Sequence, residues 1–407
     1  MHNPISDVTK DLNPDYLRNM QFGDIVGQAS LIEKLKELVD QNRLSHSILL
    51  YGKEGSGALP LALAFATYVI EKTENVSDAA AVSLFGEPME RASEGALKAD
   101  RYLHPDVHYS YPVIPRKPGD KPVAGDYITE WRNFLQQTPY GNVYDWLQSI
   151  GAENKQGNIT AAECEDILRK LQLKSFESGY KILMMWMPEY LGNEGNKLLK
   201  LIEEPPPNTL FILVAEQEDQ ILATLLSRSQ LIRVPPIEQA DIAQALVQRC
   251  GVEAERAGQI AAMSEGNYRL ALHLLQHGES DWQPVLREWL NTLIKADTVA
   301  QVKWADEMHQ QGRENQKQFL HYFEHLVEQA VRLSVLGENY LTILEREKDF
   351  CGRLNKLCDV AQLEALAKEL NKAAYFIERN ANAKMLFTAL SIKFFHIIRH
   401  RVMPEVR

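Results

Sequence analysis

A chain of 407 residues with 45% hydrophobic content and a formal net charge of −11 is long enough for two or three domains, each with its own core, which excludes a disordered protein. The acidic balance argues against a free-standing nucleic-acid binder, because neutralising phosphates needs a concentrated basic surface; a DNA role would be indirect or shared. No run of about 18 apolar residues marks a membrane span, and the opening "MHNPISDVTKDLNP" lacks the charged-then-apolar pattern of a secretory signal, so a cytoplasmic location is expected.

Up to residue 236, short apolar runs alternate with amphipathic helices. "SILLYG" (47–52), "VHYSYPV" (107–113), "KILMMWM" (181–187), "TLFILVAE" (209–216) and "QLIRVPP" (230–236) read as strands buried on both faces of a parallel sheet. Leu31, Leu35 and Leu38 repeat at helical spacing before the first, and "GNKLLKLIEE" (195–204) does so between the third and fourth. The prolines of "EEPPPN" (203–208) stop that helix. The expected base is therefore α/β with about five parallel strands.

After "VPP" (234–236) the pattern is helical throughout, through "EQADIAQALVQRCG", "EAERAGQIAAMSEG" and "NYRLALHLLQHG" to the terminal "NANAKMLFTALSIKFFHIIRH" (380–400). Three domains are expected: an α/β base over 1–236, a small helical lid over 237–280, and an all-α domain over 281–407. Residues 114–158 interrupt the base with Tyr127, Trp131, Phe134, Tyr140, Tyr144 and Trp146; this is expected to be an ordered surface insertion, with a partner-docking surface as the alternative. The four cysteines, Cys164, Cys250, Cys351 and Cys358, lack metal or disulfide spacing and read as buried free thiols, with no metal expected.

The stretch "LLYGKEGSGALPLALAFA" (49–66) has the strand, glycine loop and helix of a phosphate-binding loop, G-x-x-x-x-G-K-[ST], in which backbone N–H groups cradle phosphates, the lysine reaches the outer ones and the hydroxyl ligates magnesium. Gly52, Gly55 and Gly57 stand in place, but Ala58 holds the lysine position and Leu59 the hydroxyl position. Lys53 comes too early to substitute, and Pro60 suits a first helical turn. An ATP-hydrolysing site also needs acids at the end of the third strand to organise magnesium and the attacking water; Trp186 and Met187 stand there, with Glu189 two positions beyond. Four losses in one constellation exclude hydrolysis in this chain's own site, leaving weak nucleotide binding by the loop backbone open. An unorthodox ATPase using Lys53 and Glu189 is the enzyme alternative.

Two arginines stand apart. Ser227 and Arg228 in "TLLSRSQLIRV" precede the fifth strand; alone, such a pair is usually a solvated helix end, but an arginine at a domain edge can also insert its fork into a neighbour's nucleotide site. Arg269 opens a lid helix, where it would either touch phosphates or pack between lid and base.

Taken together, "FGDIVGQASLIEKLKELVDQNRLSHSILLYGKEGSG" (22–57), "HPDVHY" (104–109), "GNKLLKLIEEPPPNTLFILVAE" (195–216), "LLSRSQLIRV" (225–234), "GNYRLAL" (266–272) and "NANAKMLFTAL" (380–390) resemble the AAA+ clamp-loader family. The resemblance implies a P-loop NTPase-like base, a helical lid and a C-terminal collar that closes a hetero-pentameric ring. It implies a subunit without a cofactor of its own, donating Arg228, supported by Ser227, to ATP and magnesium held by a neighbouring motor subunit. The partners it implies are motor and delta-like subunits, and through the whole ring a sliding clamp and primer-template DNA. Ser229 replaces the family's cysteine, the four-cysteine zinc module is absent from 58–106, and Glu216 lies near a sensor position that is usually small and polar. An adaptor in DNA repair or recombination is the other alternative.

Overall fold

All five apolar runs form one parallel sheet. The structure, a computed structural model, describes residues 20–78, 102–152, 155–173, 179–277, 282–337, 345–378 and 381–400. In chain order, α1 (Ala29–Asp40) and β1 (Ser47–Tyr51) lead to α2 (Ala58–Asp78), β2 (Val107–Ser110), α3 (Ile128–Gln137), α4 (Val143–Ser149) and α5 (Ala161–Gln172). Then come β3 (Lys181–Trp186), α6 (Asn196–Glu203), β4 (Thr209–Ala215), α7 (Ala223–Leu226) and β5 (Gln230–Arg233). The strand order is β2-β3-β4-β1-β5, and every pairing is parallel.

Burial on both faces explains the unbroken apolar strands. Ile48, Leu50, Ile182, Met184, Ile212 and Val214 turn to one core, which includes Leu61 and Phe65 of α2. Their alternates Leu49, Leu183, Met185, Phe211 and Leu213 turn to a second core with Ile167 and Leu171 of α5 and Leu198 and Ile202 of α6. Side chains alternate with a period of two, so this division follows from the strands alone. The register sets Tyr51 opposite Ala215 and Arg233 and Trp186 opposite Val214. The carboxyl ends of β1, β3, β4 and β5 therefore share one edge, where ligands bind in open α/β sheets.

The insertion departs from expectation. Tyr127, Trp131, Phe134 and Trp146 are buried within the same core as Ile48 and Trp186, so these rings complete the base rather than lying on its surface or offering a docking face; Tyr144 is half-buried. Trp131 stacks on Tyr111 with centroids 4.0 Å apart and meets Trp146 edge to face at 5.2 Å. The α4 turn begins with a capping box: Asn142 Oδ1 accepts from the Asp145 N–H and Asp145 Oδ2 from the Asn142 N–H, the reciprocal arrangement that starts a helix.

Helices α8 (Gln239–Cys250), α9 (Ala254–Met263) and α10 (Tyr268–His277) form the lid. Their core of Ile242, Leu246, Ala257, Ile260 and Tyr268 also takes in Val26 and Tyr140. Base and lid helices fall together into one compact unit, Met1–Gln276, and His277–Arg407 forms a second.

That second unit comprises α11 (Trp282–Ile294), α12 (Thr298–Gln310), α13 (Arg313–Leu336), α14 (Glu345–Leu357), α15 (Val360–Glu378) and α16 (Ala383–Phe395). Its centre is aromatic: Trp289 stacks on Trp304 at 4.6 Å and donates its indole N–H to Ser391 Oγ at 2.9 Å, satisfying a polar group that burial would otherwise penalise. Among the described residues no helix is long and apolar enough to cross a membrane. Three of the cysteines are buried, but Cys250 is only half-buried; burial pushes the Cys351 thiol up to about 12 and Cys358 to about 11.

Candidate functional site

The glycine loop lies at the carboxyl edge of the sheet because β1 delivers it there: the Gly52 N–H donates to Ala215 O at 3.1 Å, extending the β1–β4 ladder by one bond. Gly55 and Gly57 both take left-handed backbone, φ +71 and +89, which glycine alone adopts without cost. There is also no room for a side chain. A Cβ on Gly55 would lie 1.8 Å from Asn267 Oδ1, and one on Gly57 3.1 Å from the Tyr140 ring. The loop thus keeps its cradle shape while side chains from the lid and the insertion rest directly against it.

The groups that would hold a nucleotide are apolar and enclosed. Ala58 and Leu59 are 7% and 4% exposed and belong to the base core. Trp186 and Met187 are buried at the end of β3, and Trp186 meets Trp131 at 5.2 Å and Phe134 at 5.8 Å. The missing acids and the aromatic insertion are therefore one feature: rings cover the strand end where carboxylates and magnesium would need water. These residues do not fit a magnesium nucleotide.

Lys53 is exposed. Glu189 serves the backbone, its Oε1 accepting from the N–H groups of Glu216 and Gln217 at 2.6 and 2.8 Å, while its buried Oε2 lacks a hydrogen-bond partner among the described residues. Burial raises the carboxyl above its ordinary range, against the lowering effect of those N–H groups. The folded chain thus holds a proton at pH values where the unfolded chain has released it, and stability falls as pH rises through that window. Glu189→Gln keeps an acceptor for both N–H groups, so thermal melts from pH 4.5 to 8 are expected to show that downward slope in the wild type and a flatter profile in the variant.

Arg269 lies between lid and loop. Its Nε and Nη2 donate to the two Asp145 carboxylate oxygens at 2.5 and 2.7 Å, and Nη1 donates to Glu54 Oε1 at 3.0 Å. Asn142 Nδ2 donates to Glu54 Oε2 at 3.0 Å. The side chains of Arg269 and Asp145 are each about 10% exposed, so the bidentate pair is largely desolvated, a geometry that favours arginine over lysine. Tyr268 N–H donates to Gly55 O at 3.1 Å. Sequence reasoning placed Arg269 near the loop but missed Glu54, Tyr140, Asn142 and Asp145; the capping-box spacing of Asn142 and Asp145 was the one local signal.

Arg228 lies elsewhere, in the turn between α7 and β5. Its Nη1 donates to Thr224 O at 3.1 Å and Ser227 Oγ at 3.3 Å, its Nη2 pairs with Glu203, and a third of its side chain is exposed. Ser227 Oγ donates to Thr224 O, so the serine buttresses the turn. Ser229 and Ser47 share a hydroxyl hydrogen bond of 2.8 Å, tying that turn to the start of β1.

A family model described as DNA polymerase III, delta subunit, matches residues 27–238. Among curated proteins the chain is similar to the DNA polymerase III subunit delta' of Bacillus subtilis, 25% identical over 54% of this chain and 52% of that one. It is similar to subunit delta' of Haemophilus influenzae, 31% identical over 39% of this chain and 47% of that one, and of Pseudomonas aeruginosa, 24% identical over 63% of each. The chain thus spans about half to three-fifths of the length of these relatives.

Proposed function

The chain belongs to the DNA polymerase III, delta subunit, family, and on that premise we propose that it is a non-catalytic, delta-prime-type stator of a cytoplasmic clamp loader. In this reading it completes a hetero-pentameric AAA+ ring and lends Arg228 to ATP and magnesium bound by a neighbouring motor subunit, so that the ring can place sliding clamps on primed DNA. The observation that carries it is the contrast between the two sites. The chain's own cradle is lined by Ala58, Leu59 and Trp186 and closed by Tyr140, whereas Arg228 is partly exposed on a braced turn. An arginine supplied in trans stabilises charge on the transferring phosphoryl group.

The test is reconstitution. Purified alone, the chain is expected to turn over no ATP; added to ATP-binding clamp-loader subunits, it should enter one stable assembly and raise their hydrolysis. Steady turnover by the isolated chain that disappears on Lys53→Ala would overturn the reading in favour of an unorthodox ATPase, and failure to assemble would favour an adaptor in repair or recombination.

A further inference from the structure

The residues that a nucleotide would meet are instead met by the chain itself. We propose that Tyr140, Asn142 and Asp145 are a built-in ligand of the glycine-loop cradle, closing the lid on the base permanently and in place of a nucleotide. This rests on the cradle alone and is independent of any role for Arg228.

Three sets of contacts converge. Tyr140 lies over Gly57, accepts the Val26 N–H on its hydroxyl at 2.9 Å, and meets the lid's Tyr268 edge to face at 4.9 Å. Asn142 binds Glu54 within the loop. Asp145 gives Arg269 a two-oxygen anion, the kind of partner a phosphate would offer, and Glu54 takes the remaining arm. One tyrosine thus touches the loop, the Val26 segment and the lid, and one arginine joins loop, insertion and lid.

The charge count points the same way. A triphosphate cradle needs positive charge, but here the Arg269 guanidinium is already paired with the carboxylates of Glu54 and Asp145. A polyphosphate entering here would lose the bidentate arginine contact and face two acids. A soluble ligand joins two elements only while it is bound, and shifts them by its differential affinity; a ligand built into the chain is always present. The angle between lid and base is then independent of ATP.

Hydrogen–deuterium exchange on the full-length chain tests this through peptides covering 268–277 and 52–60. In the wild type, millimolar MgATP is expected to leave both unchanged. Asp145→Ala should speed exchange in 268–277 by about ten- to hundredfold, the effect of losing a charge-assisted contact of this kind. Exchanging the charges with Asp145→Arg and Arg269→Asp together should recover part of the protection. Should Asp145→Ala fail to fold, Asp145→Asn keeps an acceptor for the helix cap while removing the charge, and the same acceleration is expected. Wild-type protection that rises on adding MgATP, or a folded Asp145→Asn chain with unaltered exchange in 268–277, overturns the proposal.

Discussion

Replacing Arg228 by alanine is expected to lower ATP turnover of the reconstituted ring by about a thousandfold or more, the usual loss when an arginine finger is removed from a phosphoryl-transfer site. The fold should be untouched. The side chain is one-third exposed and its ion pair with Glu203 lies at the surface, where such pairs contribute about 0–1 kcal/mol; the melting transition of the variant should therefore overlay that of the wild type. Arg228→Lys keeps the charge but loses the planar fork that grips two phosphate oxygens, so it should recover little of the rate. Assembly measured by size exclusion separates a lost guanidinium from a lost interface. Unchanged turnover in an intact Arg228→Ala ring would remove the arginine from the mechanism.

Restoring an acid at the end of β3 is expected to unfold the base rather than create an active site. Trp186 is 1% exposed and packs on Trp131 and Phe134, with Tyr111 and Trp146 against Trp131. Removing such a ring costs about 3–5 kcal/mol, and a carboxylate left among the remaining rings adds several more. Total stabilities are about 5–15 kcal/mol, so Trp186→Asp should lose cooperative unfolding in urea. Trp186→Phe retains an apolar ring and should cost on the order of 1–3 kcal/mol. A Trp186→Asp chain with the wild-type urea midpoint would show that this edge is open to water and able to carry charge.

The aromatic cover also explains which parts of the fold were legible. The strands could be read because β3 and β4 are buried along their full lengths, which leaves a continuous apolar run in the sequence. The lid helices carry local repeats of the same kind. Residues 114–158 carry only two short helical repeats, Trp131, Phe134 and Leu135 and then Val143, Trp146 and Leu147, set among irregular chain, and which surface their rings cover is decided by the position of Trp186 across the fold. The absent lysine and acids were visible as substitutions, but their common cause, a sheet edge packed with rings, was not.

Local patterns in the chain were enough to give the α/β base with its five parallel strands, the helical remainder, Ala58 and Leu59 at the lysine and hydroxyl positions of the glycine loop, Trp186 and Met187 at the end of the third strand, and the place of Arg228 ahead of β5. Each of these depends on a local period or on a motif whose spacing is set by one strand and one turn. What meets the glycine loop came from the folded chain alone, because Arg269 meets Asp145 from 124 positions away and Tyr140 reaches Val26 from 114. Hydrogen bonds and ring contacts at that separation depend on where the sheet places its edge, and nothing in the neighbouring residues records them.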